Sequence, residues 1–180
     1  MIELAVIVPL EPMQVGDEFS EGAIPLHVTI LPNVRVRYSA VAELIQQISS
    51  LAADTSVINT VALGVEIFGP NLDFVVTTLD STVSIRELHA RLLHAAHALG
   101  AESMESVYNS DGYRPHITHT PSGRVPLESD LVTFGALVTV DCTSSIRRII
   151  SLAPFGGHGR RDERTRVAPR DLRDVPDDAR

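Results

Sequence analysis

Lysine and tryptophan are absent from this chain, and cysteine occurs once, at Cys142. A lone cysteine rules out an intrachain disulfide, so cytoplasmic residence is expected, and it leaves no thiolate cluster for a structural zinc; no cofactor is expected. No apolar run is long enough to span a bilayer. The N-terminal strand also lacks the basic start and small-residue cleavage site of a signal peptide, so no membrane partner is expected. All 15 basic residues are arginines, and seven of them fall in residues 156–180 beside six acids. Residues 1–155 hold eight arginines against 17 acids, a net of −9. Such a surface repels long or duplex nucleic acid, and a small phosphorylated partner gripped locally suits it better.

What is present is a duplication. Pro25-Leu26-His27-Val28-Thr29-Ile30 and Arg114-Pro115-His116-Ile117-Thr118-His119 each carry a histidine, an apolar residue and a threonine in a strand-like run. Residues two apart on a strand share a face. Each segment therefore presents an imidazole beside a hydroxyl, with Val28 or Ile117 turned inward. Two such pairs facing one cleft supply two acid/base groups and two hydroxyl donors, a set suited to cleaving a phosphodiester without a metal.

The rest of the chain predicts an α+β protein. Its 180 residues suit one domain or two intimately joined lobes. Ile2 to Val8 reads as a buried strand, and Leu10 to Ile24 as a loop able to border the cleft. Leu26 to Leu31 is the first motif strand, stopped at Pro32. Ser39 to Leu51 has helical spacing, with Ser39 as its cap. Val57 to Phe68 alternates through Val61, Leu63, Val65 and Ile67, turns at Gly69-Pro70, and returns along Leu72 to Leu79. Ser84 to Leu99 is a second helix that stops at Gly100. Leu131 to Cys142 and Ser145 to Leu152 read as a hairpin. From residue 156 the composition turns to Gly, Arg, Asp and Pro, the pattern of a disordered tail.

The two motifs, their 89-residue offset and the order of elements over residues 2–155 resemble the 2H phosphoesterase superfamily, which includes 2′-5′ RNA ligase-like proteins and cyclic nucleotide phosphodiesterases. The resemblance implies a bilobal fold, with two antiparallel-rich sheets forming a central groove and helices packed outside. Residues 1–155 would form that domain, as two pseudo-symmetric lobes in a monomer. It also implies that His27 and His116 are the catalytic pair and that Thr29 and Thr118 bind phosphate. The expected activity is metal-independent hydrolysis of a small or cyclic nucleotide phosphodiester, such as a 2′,3′-cyclic phosphate, an ADP-ribose cyclic phosphate or a cyclic oligonucleotide. The alternatives are nucleotide binding without turnover and RNA-end processing of the ligase-like kind. A weaker alternative is a metal-dependent hydrolase using His116 and His119.

Further residues carry two readings each. Arg114 either contacts phosphate or forms a surface salt bridge, and Tyr113 or Phe68 either stacks on a base or belongs to the core. His89, His94 and His97 share the second helix and read as solvated residues rather than metal ligands. His119 faces away from His116 by alternation and reads as structural, and His158 reads as an inert residue of the tail.

Overall fold

The computed structural model describes residues 1–156, apart from residues 70, 72, 73, 105, 121 and 122. The Arg/Asp-rich tail, with His158, lies outside the described residues. Ten strands and two helices follow one another as β1 (Ile2–Pro9), β2 (Glu18–Ser20), β3 (His27–Val36), α1 (Val41–Ala53), β4 (Ile58–Phe68), β5 (Phe74–Leu79), α2 (Val83–Ala98), β6 (Glu102–Ser103), β7 (His116–Thr118), β8 (Leu131–Phe134), β9 (Ala136–Asp141) and β10 (Ile146–Pro154). The strands line up as β2-β10-β9-β1-β3-β7-β5-β4-β8, with β6 also on β3, and every ladder is antiparallel. The class is α+β, as expected. The two expected sheets are joined into one where β3 meets β7.

One face of this sheet is the main core. Val28, Ile30, Val34 and Val36 of β3 and Ile117 of β7 bury there against Leu44, Ile48 and Ala52 of α1 and Ile85, Leu88 and Leu92 of α2. The helices form because their apolar residues recur at three- and four-residue spacing. The Thr82 side chain accepts from the Ile85 N–H at the start of α2, and Gly100 adopts φ +74° just past its end. At α1 the capping residue is Ala40, reached through a 3₁₀ turn over Tyr38–Ala40, so the expected Ser39 cap is displaced.

A smaller core lies on β1, β9 and β10. Ala5, Ile7, Val138, Val140, Cys142 and Ile149 pack with Met13, and Phe19 and Ile24 flank them. The Leu10 to Ile24 segment thus covers part of the sheet beside His27, and it contains the short strand β2 rather than being loop throughout.

Two further expectations are corrected, and the structure decides which face of β4 is buried. Pro32 does not stop the first motif strand, which continues to Val36. Leu4 pairs with Val34 and Val6 with Leu31, so β3 carries an extra residue around Pro32-Asn33. A bulge tolerates proline because a ladder hydrogen bond is already missing there. The Leu131 to Cys142 run is two strands divided at Gly135: β8 pairs with β4 at one edge of the sheet, and β9 pairs with β1 and β10. Along β4 the apolar alternation marks the outer face. Ile58, Thr60 and Ala62 are buried, whereas Val61, Leu63, Val65 and Ile67 are 37% to 65% exposed. The inner position is set by partners on β5 and β8, not by hydrophobicity along β4 alone.

Candidate active site

Strands β3 and β7 meet through the antiparallel pair Val28–Ile117. Both side chains are fully buried and face the helices. Antiparallel geometry then sets His27 opposite Thr118 and Thr29 opposite His116, with all four side chains on the other face. Directly opposed side chains have Cβ atoms about 4.5–5.5 Å apart, and diagonal ones about 7–8 Å apart. The two motifs thus interlock as a square, with the histidines on one diagonal and the threonines on the other. The sequence places each hydroxyl beside its own histidine, and the structure adds the other motif's histidine across the ladder.

The two imidazoles are held alike. His27 Nδ1 lies 2.7 Å from the Pro25 carbonyl oxygen, and His116 Nδ1 lies 2.8 Å from that of Arg114. A carbonyl only accepts, so each Nδ1 carries the proton and each neutral ring keeps its lone pair on Nε2. Both rings are half-buried, and desolvation is the main cause that lowers both pKa values below the usual 6.5. The carbonyl contacts oppose that shift. Repulsion from His116 adds to it at His27, and repulsion from Arg114 adds to it at His116.

Around His116 lies a cluster that sequence reading brought together only in part. The Phe68 ring stands 4.9 Å from the imidazole at 60°, and the Arg114 guanidinium sits 4.7 Å from the centre of that ring. Arg114 Nη2 donates to both Glu66 carboxylate oxygens, at 2.8 and 2.9 Å. Of the two readings for Arg114, the surface salt bridge is therefore formed. Thr78 of β5 is directly opposite His116, is buried, and donates its hydroxyl to the Gly64 carbonyl at 3.3 Å. Glu66 and Thr78 reach this neighbourhood through cross-strand pairing between β4, β5 and β7, and no local motif announces them.

Tyr113 takes the core reading. It is buried, its ring stacks on His89 with centroids 4.0 Å apart and planes 5° from parallel, and its hydroxyl donates to the Thr29 carbonyl at 3.0 Å. His89 overturns the expectation of a solvated residue. It is 2% exposed, with Nδ1 donating to the Ile30 carbonyl at 2.6 Å and Nε2 accepting the Ser110 N–H at 3.1 Å. His94 and His97 are exposed, and His97 Nε2 pairs with the Ser103 hydroxyl at 3.0 Å. His119 pairs through Nε2 with the Thr77 hydroxyl at 2.9 Å, and Thr77 lies opposite Ile117. That contact is on the face away from His116. Among the described residues, no three His, Cys, Asp or Glu side chains gather as metal ligands, and no helix is long and apolar enough to cross a membrane.

Comparison of the sequence with protein-family models and with curated proteins finds no match. Solved structures do match. The protein TT0787 of Thermus thermophilus is 16% identical over 88% of this chain and all of its own, with a TM-score of 0.58. A protein described as a phosphoesterase is 13% identical over 86% of this chain and 98% of its own, with a TM-score of 0.56. Escherichia coli LigT bound to 3′-AMP is 12% identical over the same shares, with a TM-score of 0.55. The likeness establishes the fold, which this chain shares with TT0787 and LigT.

Proposed function

We propose that this chain is a 2H phosphoesterase that cleaves a small or cyclic nucleotide phosphodiester with His27 and His116 as its acid/base pair. One observation carries the reading: the interlocked square of His27, Thr29, His116 and Thr118 across the β3–β7 ladder. In hydrolysis of a cyclic phosphate, one neutral imidazole takes a proton from water through Nε2 as the water oxygen bonds to phosphorus. The ribose oxygen leaves and takes a proton from the other imidazole, which starts protonated. The product is a phosphomonoester with a free hydroxyl, and the two histidines end with their protons exchanged. The Thr29 and Thr118 hydroxyls donate to the non-bridging oxygens, where negative charge grows.

Support for a nucleotide comes from shared fold, since Escherichia coli LigT has been crystallised with 3′-AMP. Support for a small substrate comes from the acidic body of residues 1–155, which disfavours long RNA. The test is incubation in EDTA with 2′,3′-cyclic nucleotides, ADP-ribose cyclic phosphate and cyclic di- and trinucleotides, with products read by mass. A linear phosphomonoester is expected. Binding of these compounds without any product would replace the reading with that of a nucleotide-binding protein.

A further inference from the structure

We infer that His89 and Tyr113, both buried behind the site, are positioning residues for the Thr29 hydroxyl; this rests on the reading of Thr29 as a phosphate ligand. The observation behind it is a second bulge in β3. Ile7 pairs with Thr29 while the preceding residue, Val6, pairs with Leu31, so Ile30 is an extra residue immediately after the motif threonine. A bulge re-aims the side chains beside it and loosens the strand, so its conformation must be fixed from outside the ladder.

Here the fixing comes from side chains far along the chain. His89 of α2 donates to the carbonyl of the bulged Ile30, and Tyr113 donates to the carbonyl of Thr29 itself. The stacked rings make one unit of these two donors. Burial raises the Tyr113 pKa, which keeps the phenol protonated as a donor. On its other nitrogen His89 accepts the N–H of Ser110, a non-glycine residue at φ +52° in the turn leading to Tyr113 and His116. The left-handed backbone of that turn needs such support. The unit therefore ties the peptide of the first motif to the approach of the second. It sets the direction of Thr29 toward the position of the phosphate without touching substrate.

The experiment is a double-mutant cycle in the full chain. Tyr113→Phe removes only the hydroxyl and keeps the stack, and Thr29→Val removes the proposed target with little change of shape. Tyr113→Phe should lower kcat about tenfold with KM nearly unchanged when Thr29 is present, because the loss falls on the transition state. In the Thr29→Val background it should cost nothing further. His89→Asn places an amide where Nδ1 donates, so it should retain more turnover than His89→Ala. An equal loss from Tyr113→Phe in both backgrounds would overturn the inference and leave Tyr113 as fold support alone.

Should the wild-type chain turn over none of the substrates, the phosphodiesterase reading fails by itself. The inference is then decided by affinity for inorganic phosphate, followed by NMR in the same four proteins. Weakening by Tyr113→Phe only where Thr29 is present upholds it. Equal effects in both backgrounds, or none in either, reject it.

Discussion

The Arg114 guanidinium lies 4.7 Å from the centre of the Phe68 ring, and that ring leans on His116. A cation is thereby held beside the His116 imidazole, while Glu66 keeps it in place. Its charge is one of the causes that hold the proton affinity of His116 down, after desolvation. Arg114→Gln should therefore raise the His116 pKa toward the usual histidine value, as read by NMR titration of the ring Cε1–H. An unmoved titration would show that Glu66 already cancels the charge.

His27→Ala and His116→Ala should each lower turnover by about a hundredfold or more. Thr118→Val, which removes one donor to the developing charge, should cost about 10²–10³. All four site residues are only half-buried, so melting temperatures should stay close to wild type. Near-normal turnover in either alanine variant would end the two-histidine mechanism.

The pH dependence has two parts with one origin. Burial is the main cause that lowers the pKa values of His27, His89 and His116 below 6.5. In the free protein both site histidines then favour the neutral form at pH 7, whereas the proposed reaction needs one of them protonated. The kcat/KM profile, which reports the free enzyme, should peak below pH 6.5 and decline as pH rises. Stability moves the opposite way. The unfolded chain binds more protons once pH falls below 6.5, so stability present above that pH is lost as it falls through the folded-state values. Urea unfolding at pH 7.5 and pH 5 checks this, and equal midpoints would contradict it.

Gly112→Ala tests the turn before the second motif. An added Cβ would run into the backbone carbonyl of Val107, which cannot move aside as a flexible side-chain tip can. The expected cost is about 1–3 kcal/mol from overpacking, visible as a lower melting temperature. Because Ser110 and Tyr113 flank this glycine, turnover should fall along with stability. A variant as stable as wild type would show that the turn relaxes freely.

The candidate site was legible because its residues are spaced in the period of a strand. His27 with Thr29, and His116 with Thr118, are pairs two residues apart around an apolar centre, and the structure puts each pair on one face. Both helices were legible from their apolar spacing. What escaped depends on partners distant in sequence. Pro32 reads as a stop until its bulge is known, and the alternation of Val61, Leu63, Val65 and Ile67 does not say which face is buried until Ala62 is seen opposite Leu79. His89 looked like one of three helix histidines. Its burial follows from the Ile30 carbonyl, 59 residues earlier in the chain.

The pair Val28–Ile117 joins segments 89 residues apart, and the whole square of His27, Thr29, His116 and Thr118 hangs on that junction. Each motif by itself offers one imidazole and one hydroxyl, too few for the proposed reaction, in which one proton is taken and one given. The proposed chemistry would thus depend on closing a long loop, whose entropy cost must be met before the contact forms. A nascent chain that ends before residue 113 has its first motif but nothing to face it. The proposed site is therefore assembled only when residues from both halves of the chain are in place.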